Sequence, residues 1–333
     1  MVAKKFVNAP EAIVAETLAG FTAAYPETVR LLPGTQTVVR SQRKASDKVA
    51  VVIGNGAGHE PACIGFVGEN MLDANICGGL FAAPGPDPLR DAVEMMDSEA
   101  GVCVLISNHA GDVLNSKMAL DMAEDDDLRC KGVILYDDIA SAPKGEEHER
   151  RGTAGTLFNY KITGTYADQG HDLEAVCAMA ERVRDNTRTL TVASIPGTSP
   201  VTGKPMFEIA DDEVEIGIGV HGEAAAHNMK LKSAAEVAKV MTESLLEDGE
   251  YRAGDELAVI VNGCGQTTYM ELLIFFNDVN QILKSRGIAS VKPAIGNFIT
   301  TQEMGGIALS FCRVDDTLKA LWLAPSTAIG FGW

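Results

Sequence analysis

The chain has 333 residues, of which 46 % are hydrophobic and 22 % are charged, a balance typical of globular proteins. Its formal net charge of −18 repels phosphate backbones and anionic lipid surfaces, which argues against binding to nucleic acid or to a membrane. No apolar run is long enough to span a bilayer and no signal pattern precedes the first predicted helix, so we expect a cytoplasmic protein.

Seven cysteines stand singly along the chain, and no Cys-x-x-Cys pair occurs. Several lie inside apolar runs, which is typical of reduced, buried thiols. We therefore expect neither a disulfide framework nor a cysteine zinc site from Cys63, Cys77, Cys103, Cys130, Cys177, Cys264 and Cys312.

Strand-like apolar runs alternate with helical patterns, which predicts an α/β fold. Most runs are apolar throughout, and this favours sheets that are covered by helices on both faces. The predicted strands cover residues 49–53, 102–106, 133–136, 190–195, 215–220, 257–261, 307–311 and 320–323.

Start signals locate three of the helices. Asp87 followed by proline is a typical N-cap, and Ser233 with Glu236 forms a capping box. A third segment has apolar residues spaced along one helical face and ends before a glycine. The predicted helices cover residues 89–96, 237–246 and 268–285.

A chain of this length exceeds what one hydrophobic core usually organises, so we expect two domains. A polar stretch at 184–188 separates a predicted helix from a predicted strand, and we place the boundary there. The first α/β domain then covers 1–184, and the second covers 185–333.

A histidine follows the end of each of two predicted strands. The run Val-Ala-Val-Val-Ile leads into the glycine loop 54–58 and His59, and Glu-Ile-Gly-Ile-Gly-Val leads into His221. Ligands bind at the carboxyl ends of strands in open α/β sheets, so both histidines are candidates for one site. The loop is not a dinucleotide fingerprint, because His59 occupies the position of its third glycine. Taken alone, it is equally compatible with a glycine turn that carries an incidental histidine.

A third loop follows the strand predicted over 102–106 and contains Ser107, His109 and Asp112. A carboxylate at a strand end can accept a proton from a substrate hydroxyl or orient an imidazole. Asp112 is also placed to cap a helix that begins near Val113, and capping is compatible with catalysis.

The chemistry of His221 has two interpretations. A neutral imidazole can add its nitrogen to the carbonyl carbon of a small ketone, which gives a hemiaminal and selects ketones over polyols. Alternatively, His59, His109 and His221 could hold zinc, although no His-Glu-x-x-His or comparable spacing supports a metal site.

Several longer motifs accompany these loops. They are Gly-His-Glu-Pro at 58–61, Gly-Asp-x-Leu-Asn at 111–115, Arg-Arg-Gly at 150–152, Gly-Lys-Pro at 203–205, the segment 210–223 that ends in His-Gly-Glu, and Val-Asp-Asp at 314–316. In order and spacing they resemble the substrate-binding subunit of dihydroxyacetone kinase along nearly the whole chain. The resemblance implies an α/β subunit of two domains, each a mixed β-sheet flanked by helices, a homodimer, and a small hydroxyketone as substrate.

The resemblance also implies roles for single residues. His221 matches the residue that binds the ketone covalently, whereas His59 and Asp112 match residues that act in proton transfer and hydrogen bonding to the substrate. The residues expected to line the pocket are Gly56, Ala57, Gly58, Ser107 and His109.

The sequence contains no Walker A motif, no kinase glycine loop and no aspartate-rich Mg-nucleotide motif. We therefore expect this chain to bind no cofactor and a nucleotide-binding partner subunit to carry ATP or ADP with Mg²⁺. ATP and a phosphotransferase-system relay are both compatible as the phosphoryl donor. A second function stays open, since similar non-catalytic proteins bind dihydroxyacetone and co-activate a transcription regulator, although His59 with Asp112 favours catalysis.

Two positions depart from the family pattern. Ser107 stands where the family often has lysine, which removes a cation and several atoms from the pocket, and His109 adds an imidazole nearby. We expect the pocket to accept a tetrulose such as erythrulose in addition to, or instead of, dihydroxyacetone. Ala224 replaces a proline after His-Gly-Glu, which leaves the conformation of that loop open.

Overall fold

The computed structural model describes residues 5–223 and 225–332, and these residues form two compact units. The N-terminal unit comprises Phe6–Leu135, Leu157–Arg184 and the described part of Leu321–Trp333. The C-terminal unit comprises Lys5, Tyr136–Thr156 and Asp185–Ala320. Ala224, which replaces the proline of the family pattern, lies outside the described residues.

The sheet of the N-terminal unit is mixed. Its strands in the described residues are β1 (Val29–Leu31), β2 (Thr37–Arg40), β3 (Ala50–Ala57), β4 (Ala74–Leu80), β5 (Val102–Ser107) and β6 (Cys130–Leu135). Their order is β1-β2-β4-β3-β5-β6, in which β4, β3, β5 and β6 are parallel, β2 pairs antiparallel with β4, and the edge strand β1 pairs antiparallel with β2.

The helices of this part of the chain are α1 (Ile13–Ala24), α2 (Pro86–Met96), α3 (Ala110–Asp125), α4 (Thr156–Asp168) and α5 (Leu173–Asp185), with short 3₁₀ turns at Pro10–Ala12 and Ile64–Phe66. Leu89 of α2 and Ala119 of α3 are buried in one cluster with Val52 and Val104 of the sheet. Burial of these apolar side chains fixes both helices on the sheet. The N-cap of α2 is Gly85, so Asp87 lies in the first turn of the helix and not at the predicted cap.

The C-terminal unit also contains a mixed sheet. Its described strands are β7 (Thr187–Ile195), β8 (Glu213–Ile216), β9 (His227–Lys230), β10 (Glu256–Gly263), β11 (Ala289–Gly296) and β12 (Gly305–Val314). The order is β11-β10-β12-β7-β8-β9, and among these strands only β10 and β11 pair in parallel. The predicted fold class, two α/β domains with mixed sheets flanked by helices, is confirmed.

One helix of the C-terminal unit confirms its predicted start signal, and a second, predicted from its apolar spacing, begins with a similar capping box. Ser233 and Glu236 form the predicted capping box at α6 (Ala234–Asp248), and Thr268 caps α7 (Tyr269–Ser285) in the same manner. Both helices contribute to the buried core against the sheet. No helix among the described residues is both long enough and apolar enough to cross a membrane.

The strand predicted over 320–323 is wrong, because these residues form the end of α8 (Asp316–Leu323). The Asp315 carboxylate accepts a hydrogen bond from the backbone N of Leu318, which starts the helix. Trp322 is then buried against Phe158 in the N-terminal unit, with ring centroids 5.1 Å apart. A short apolar run does not distinguish a strand from a buried helix.

The units differ from the predicted domains, because they are not continuous in sequence. A unit boundary falls at Asp185, but Tyr136–Thr156 belongs to the C-terminal unit. Within that segment Arg150 forms an ion pair of 2.7 Å with Asp248, and Lys144 forms one of 2.7 Å with Glu250, so the segment is joined to the C-terminal unit. Such contacts join residues far from the polar stretch that suggested a single boundary.

All seven cysteines lie in the described residues and are free thiols, as predicted, and all but Cys130 are buried.

Candidate active site

The loops after β3 and β5 leave the same edge of the sheet, because these strands are parallel neighbours. β5 ends at Ser107, one residue beyond its predicted end, whereas β3 continues four residues beyond its predicted end to Ala57, so most of the predicted glycine loop 54–58 is the end of the strand. This edge, the carboxyl end of the central strands, is where α/β sheets bind ligands. The predicted site residues that lie there, all in the N-terminal unit, are Gly56, Ala57, Gly58, His59, Ser107, His109 and Asp112.

Close backbone approach explains the glycines of the first loop. A Cβ on Gly56 would lie 2.7 Å from the backbone N of Ala82, and one on Gly58 would lie 2.6 Å from the ring of Phe81. Gly58 also has a φ of +106°, which side chains rarely adopt. The backbone N of Phe81 donates to the carbonyl of Ala57 at 2.8 Å, so this loop is tied to the end of β4.

His59 is buried, with 6 % of its surface exposed. Its ring meets the ring of Phe81 edge to face, with centroids 5.2 Å apart. The Glu60 carboxylate accepts from the backbone N of Gly58 at 3.1 Å, which closes the turn before the histidine. Packing therefore restricts the imidazole to a narrow range of orientations.

Asp112 does not cap α3, because the helix begins three residues earlier than predicted. Its N-cap is His109, and the carbonyl of His109 accepts from the backbone N of Val113 at 2.9 Å to close the first turn. Asp112 lies within that turn and is partly buried. The positive end of the helix dipole favours an ionised carboxylate at this position, which is then a proton acceptor.

Cys63, which follows His59 in the chain, is a buried thiol with a raised pKa. The pKa of Cys63 is raised to about 12, mainly by burial, with a hydrogen bond from Tyr160 that lowers it and smaller contributions from Cys77 and Asp112 that raise it. A thiol with this pKa stays protonated at neutral pH, so Cys63 is not a nucleophile.

His221 lies in the C-terminal unit, in the connection between β8 and β9. The strand predicted over 215–220 ends at Ile216, four residues earlier, because Gly217 takes a φ of +80° and the chain leaves the ladder. The backbone N of Ala226 donates to the carbonyl of Ile216, which closes this hairpin connection. His221 therefore stands on a loop beyond the strand end, where its side chain is 27 % exposed.

Glu223 fixes the imidazole of His221. Its Oε1 lies 2.8 Å from Nδ1, and its Oε2 accepts the backbone N–H of His221 at 2.8 Å. When the Glu223 carboxylate is ionised it can only accept, so the neutral form of the imidazole then carries its proton on Nδ1 and keeps a lone pair on Nε2. This is the form of imidazole that can attack an electrophile through Nε2.

Arg151 and Asp138 support the start of this loop. Arg151 donates to the Asp138 carboxylate through Nε at 2.9 Å and to the carbonyl of Gly217 through Nη2 at 2.8 Å. Burial raises the pKa of Asp138 to about 6, while the Arg151 charge lowers it, so the pair is mainly ionic at neutral pH.

Sequence reasoning missed Glu223, Arg151 and Asp138 as members of the site. The motifs Arg-Arg-Gly and His-Gly-Glu contain two of them, but the partners of Arg151 are 13 and 66 residues away in sequence. A pattern read along the chain does not reveal such partners.

The fold and these loops define a two-unit mixed α/β protein with histidines and a carboxylate on loops beyond strand ends. Residues 19–330 match the Dak1 domain family. The chain therefore belongs to the dihydroxyacetone kinase family, among its substrate-binding subunits.

Relatives within this family carry three different descriptions. The chain is 38 % identical to the dihydroxyacetone-binding subunit DhaK of the PTS-dependent dihydroxyacetone kinase 1 of Listeria innocua, over 94 % of this chain and 95 % of that protein. It is 34 % identical to the L-erythrulose kinase of Pectobacterium atrosepticum, over 97 % of this chain but 55 % of that longer protein. A solved structure, the dihydroxyacetone kinase operon co-activator DhaQ, superposes with a TM-score of 0.89 at 31 % identity, over 94 % of this chain and 97 % of that one.

Proposed function

We propose that the chain is the ketone-binding subunit of a kinase that acts on a short keto-polyol, either dihydroxyacetone or a tetrulose such as erythrulose. The observation that carries this proposal is the contact between Nδ1 of His221 and Glu223, which keeps the ring proton on Nδ1 and the reactive lone pair on Nε2. The Listeria relative, a dihydroxyacetone-binding subunit that matches over nearly its full length, supports the same assignment.

Covalent capture proceeds in one balanced step. Nε2 of His221 forms a bond to the carbonyl carbon, the C=O π bond breaks, and the oxygen takes a proton from water to become a hydroxyl, while the proton released from Nδ1 passes to the solvent in its place. The ring becomes cationic unless Nδ1 releases its proton, and the Glu223 carboxylate is placed at 2.8 Å to accept it. The product is a neutral hemiaminal, which holds the substrate hydroxyl in a defined orientation.

Phosphoryl transfer then needs a group that takes the proton of that hydroxyl. We assign this role to Asp112, in the first turn of α3, and assign a hydrogen bond with the substrate to His59, whose ring packs against Phe81. The phosphoryl group comes from a partner subunit that carries ATP or ADP with Mg²⁺, fed by ATP or by a phosphotransferase relay. We further propose that the chain works in the cytoplasm as a homodimer.

The covalent step is tested by carbon NMR. The full chain is mixed with dihydroxyacetone or erythrulose labelled with ¹³C at the carbonyl carbon. We expect a protein-bound tetrahedral carbon with the wild-type chain and with His227→Ala, an exposed control on β9, and none with His221→Ala. A bound ketone that keeps its carbonyl resonance in the wild-type chain would contradict the mechanism.

Substrate choice is tested at Ser107, the last residue of β5. Ser107→Lys restores the cation that the family often has and fills part of the pocket. We expect the ratio of kcat/KM for dihydroxyacetone to kcat/KM for erythrulose to rise about tenfold. A pocket that gains or loses one or two methylene-sized contacts changes discrimination by this order. Steady-state rates with a supplied nucleotide-bearing subunit measure it, and an unchanged ratio would show that Ser107 does not select the ketone.

The co-activator structure supports a second candidate, a ketone-binding regulator. Both functions use His221, so the distinction lies in phosphoryl transfer. Assays of the chain with candidate nucleotide-bearing subunits decide between them. Turnover of the ketone supports the kinase, whereas ketone binding without turnover, together with ketone-dependent binding to a transcription regulator, supports the co-activator.

A further inference from the structure

Gly219 leaves a space that two charged side chains fill. A Cβ on this residue would lie 2.1 Å from Oε2 of Glu223 and 2.5 Å from Nη1 of Arg151. The glutamate carboxylate and the guanidinium therefore meet beside the Cα of Gly219. The glycine is needed there by its neighbours and not by its own backbone angles, because its φ lies outside the left-handed region.

The guanidinium is itself held in place. Arg151 is 15 % exposed and Asp138 is 1 % exposed, and Nη2 of Arg151 lies 2.7 Å from Oδ2 of Asp138. The same Nη2 donates to the carbonyl of Gly217, at the start of the loop. One buried ion pair thus presents a fixed positive charge to the carboxylate that bonds His221.

We propose that Arg151, anchored by Asp138, and the absence of a side chain at Gly219 together position Glu223, so that Glu223 holds His221 with its proton on Nδ1. These are positioning residues, because they act on the imidazole through Glu223. The role in ketone capture rests on the proposed function, whereas the effect on the imidazole tautomer does not.

The chemistry of His221 explains why such support matters. An imidazole without a fixed partner populates both neutral tautomers, and the one protonated on Nε2 has no lone pair there. A carboxylate that turns away from Nδ1 therefore reduces the reactive fraction of the ring. The Arg151 charge also favours the ionised carboxylate, which is the form able to take the Nδ1 proton.

Gly219→Ala is the variant that tests the proposal most directly. The atom that the new methyl group meets most closely, Oε2 of Glu223, is the end of a flexible side chain, so the carboxylate is displaced while the fold and the Arg151 ion pair can be kept. We expect a thermal midpoint close to that of the wild-type chain and a roughly tenfold loss of ketone affinity, as for one charge-assisted hydrogen bond. Gly20→Ala is the control, because nothing lies within 4 Å of a Cβ at that position.

The direct readout is ¹⁵N NMR of the labelled His221 ring in the full chain without ketone. The wild-type chain is expected to show a protonated Nδ1 and an unprotonated Nε2 for the neutral ring. Gly219→Ala and Asp138→Asn are expected to shift both resonances toward an average of the two tautomers, and Gly20→Ala is expected to leave them unchanged.

Arg188 supplies a matched control for Arg151. It lies in the same unit, is 16 % exposed and forms an ion pair of 2.7 Å with Asp248. Arg151→Lys is expected to change the His221 resonances, because lysine cannot reproduce the forked donation. Arg188→Lys is expected to lower stability to a similar extent without changing them.

Unchanged His221 resonances in Gly219→Ala overturn the proposal, and so do equal spectra of Arg151→Lys and Arg188→Lys. If Arg151→Lys does not fold, the spectra of Gly219→Ala and Asp138→Asn decide. If ketone still adds covalently to His221→Ala, the proposed function fails, while the tautomer spectra still test the positioning of Glu223 independently.

Discussion

The two groups of candidate site residues are held by different means. In the N-terminal unit, His59 and Asp112 follow parallel strands whose apolar core fixes the positions of both loops. In the C-terminal unit, His221 stands on a hairpin connection held by Glu223 and Arg151. Backbone geometry places the first group, whereas side-chain charges place the second.

This difference predicts that an added methyl group lowers the stability of the fold in the first group, where it meets backbone, and mainly displaces side chains in the second group. Changes at the N-terminal loops act on chemistry or on the fold. Changes around His221 alter which nitrogen of its imidazole carries the proton.

The largest effect is expected from Asp112→Asn, which removes the proposed base and keeps the shape of the side chain. We expect kcat to fall about 10²- to 10⁴-fold, as is typical for a general base, while hemiaminal formation on His221 persists. Turnover with a nucleotide-bearing partner and carbon NMR of labelled ketone measure the two effects. His59→Asn is the companion variant, and a larger loss of kcat there would assign the base to His59.

The next largest effect, a loss of stability, is expected from Gly56→Ala near the end of β3. The new methyl group meets the backbone of Ala82 at 2.7 Å, which cannot move aside as a side chain can. We expect the free energy of unfolding to fall by about 1–3 kcal/mol. Chemical denaturation measures it, and Gly219→Ala should lose much less. Equal losses at the two glycines would remove the contrast between backbone and side-chain support.

The smallest effect is a pH dependence at Asp138. Its pKa of about 6 in the folded protein exceeds the ordinary value of 3.8, because it is buried, so the folded state binds the proton more strongly than the unfolded state. Stability from this group is therefore present below about pH 4 and is lost as the pH rises to about 6. The stability of the wild-type chain relative to Asp138→Asn should fall by on the order of 1–2 kcal/mol over that interval.

Denaturation of both proteins between about pH 4 and 7 checks this expectation. Asp137, the buried neighbour whose pKa is also raised by its burial, is present in both and largely cancels in the difference. A relative stability that increases with pH would show that the Arg151 ion pair outweighs the cost of burying Asp138.

The fold class and the loops after β3 and β5 were predictable from the sequence because those features are local. A uniformly apolar run followed by glycine marks a central strand end, and a serine with glutamate three residues later marks a helix start. Gly56, His59 and Ser107 were found in this way. Short edge strands such as β1 and β9 lack that pattern, and they were missed.

The setting of His221 was less predictable for a physical reason. Its orientation depends on Arg151 and Asp138, which come from a distant segment, and the glycine at 217 ends the strand before the apolar pattern does. The boundary of the units was missed for the same reason, since long-range contacts and not local composition assign Tyr136–Thr156.

Because Tyr136–Thr156 belongs to the C-terminal unit, that unit cannot be produced as one continuous fragment of the chain. A fragment that starts at residue 185 retains His221 and Glu223 but loses Asp138 and Arg151. The residues that hold His221 thus come from two separate stretches of chain. An engineered protein that is to present this histidine in the same way must contain both stretches.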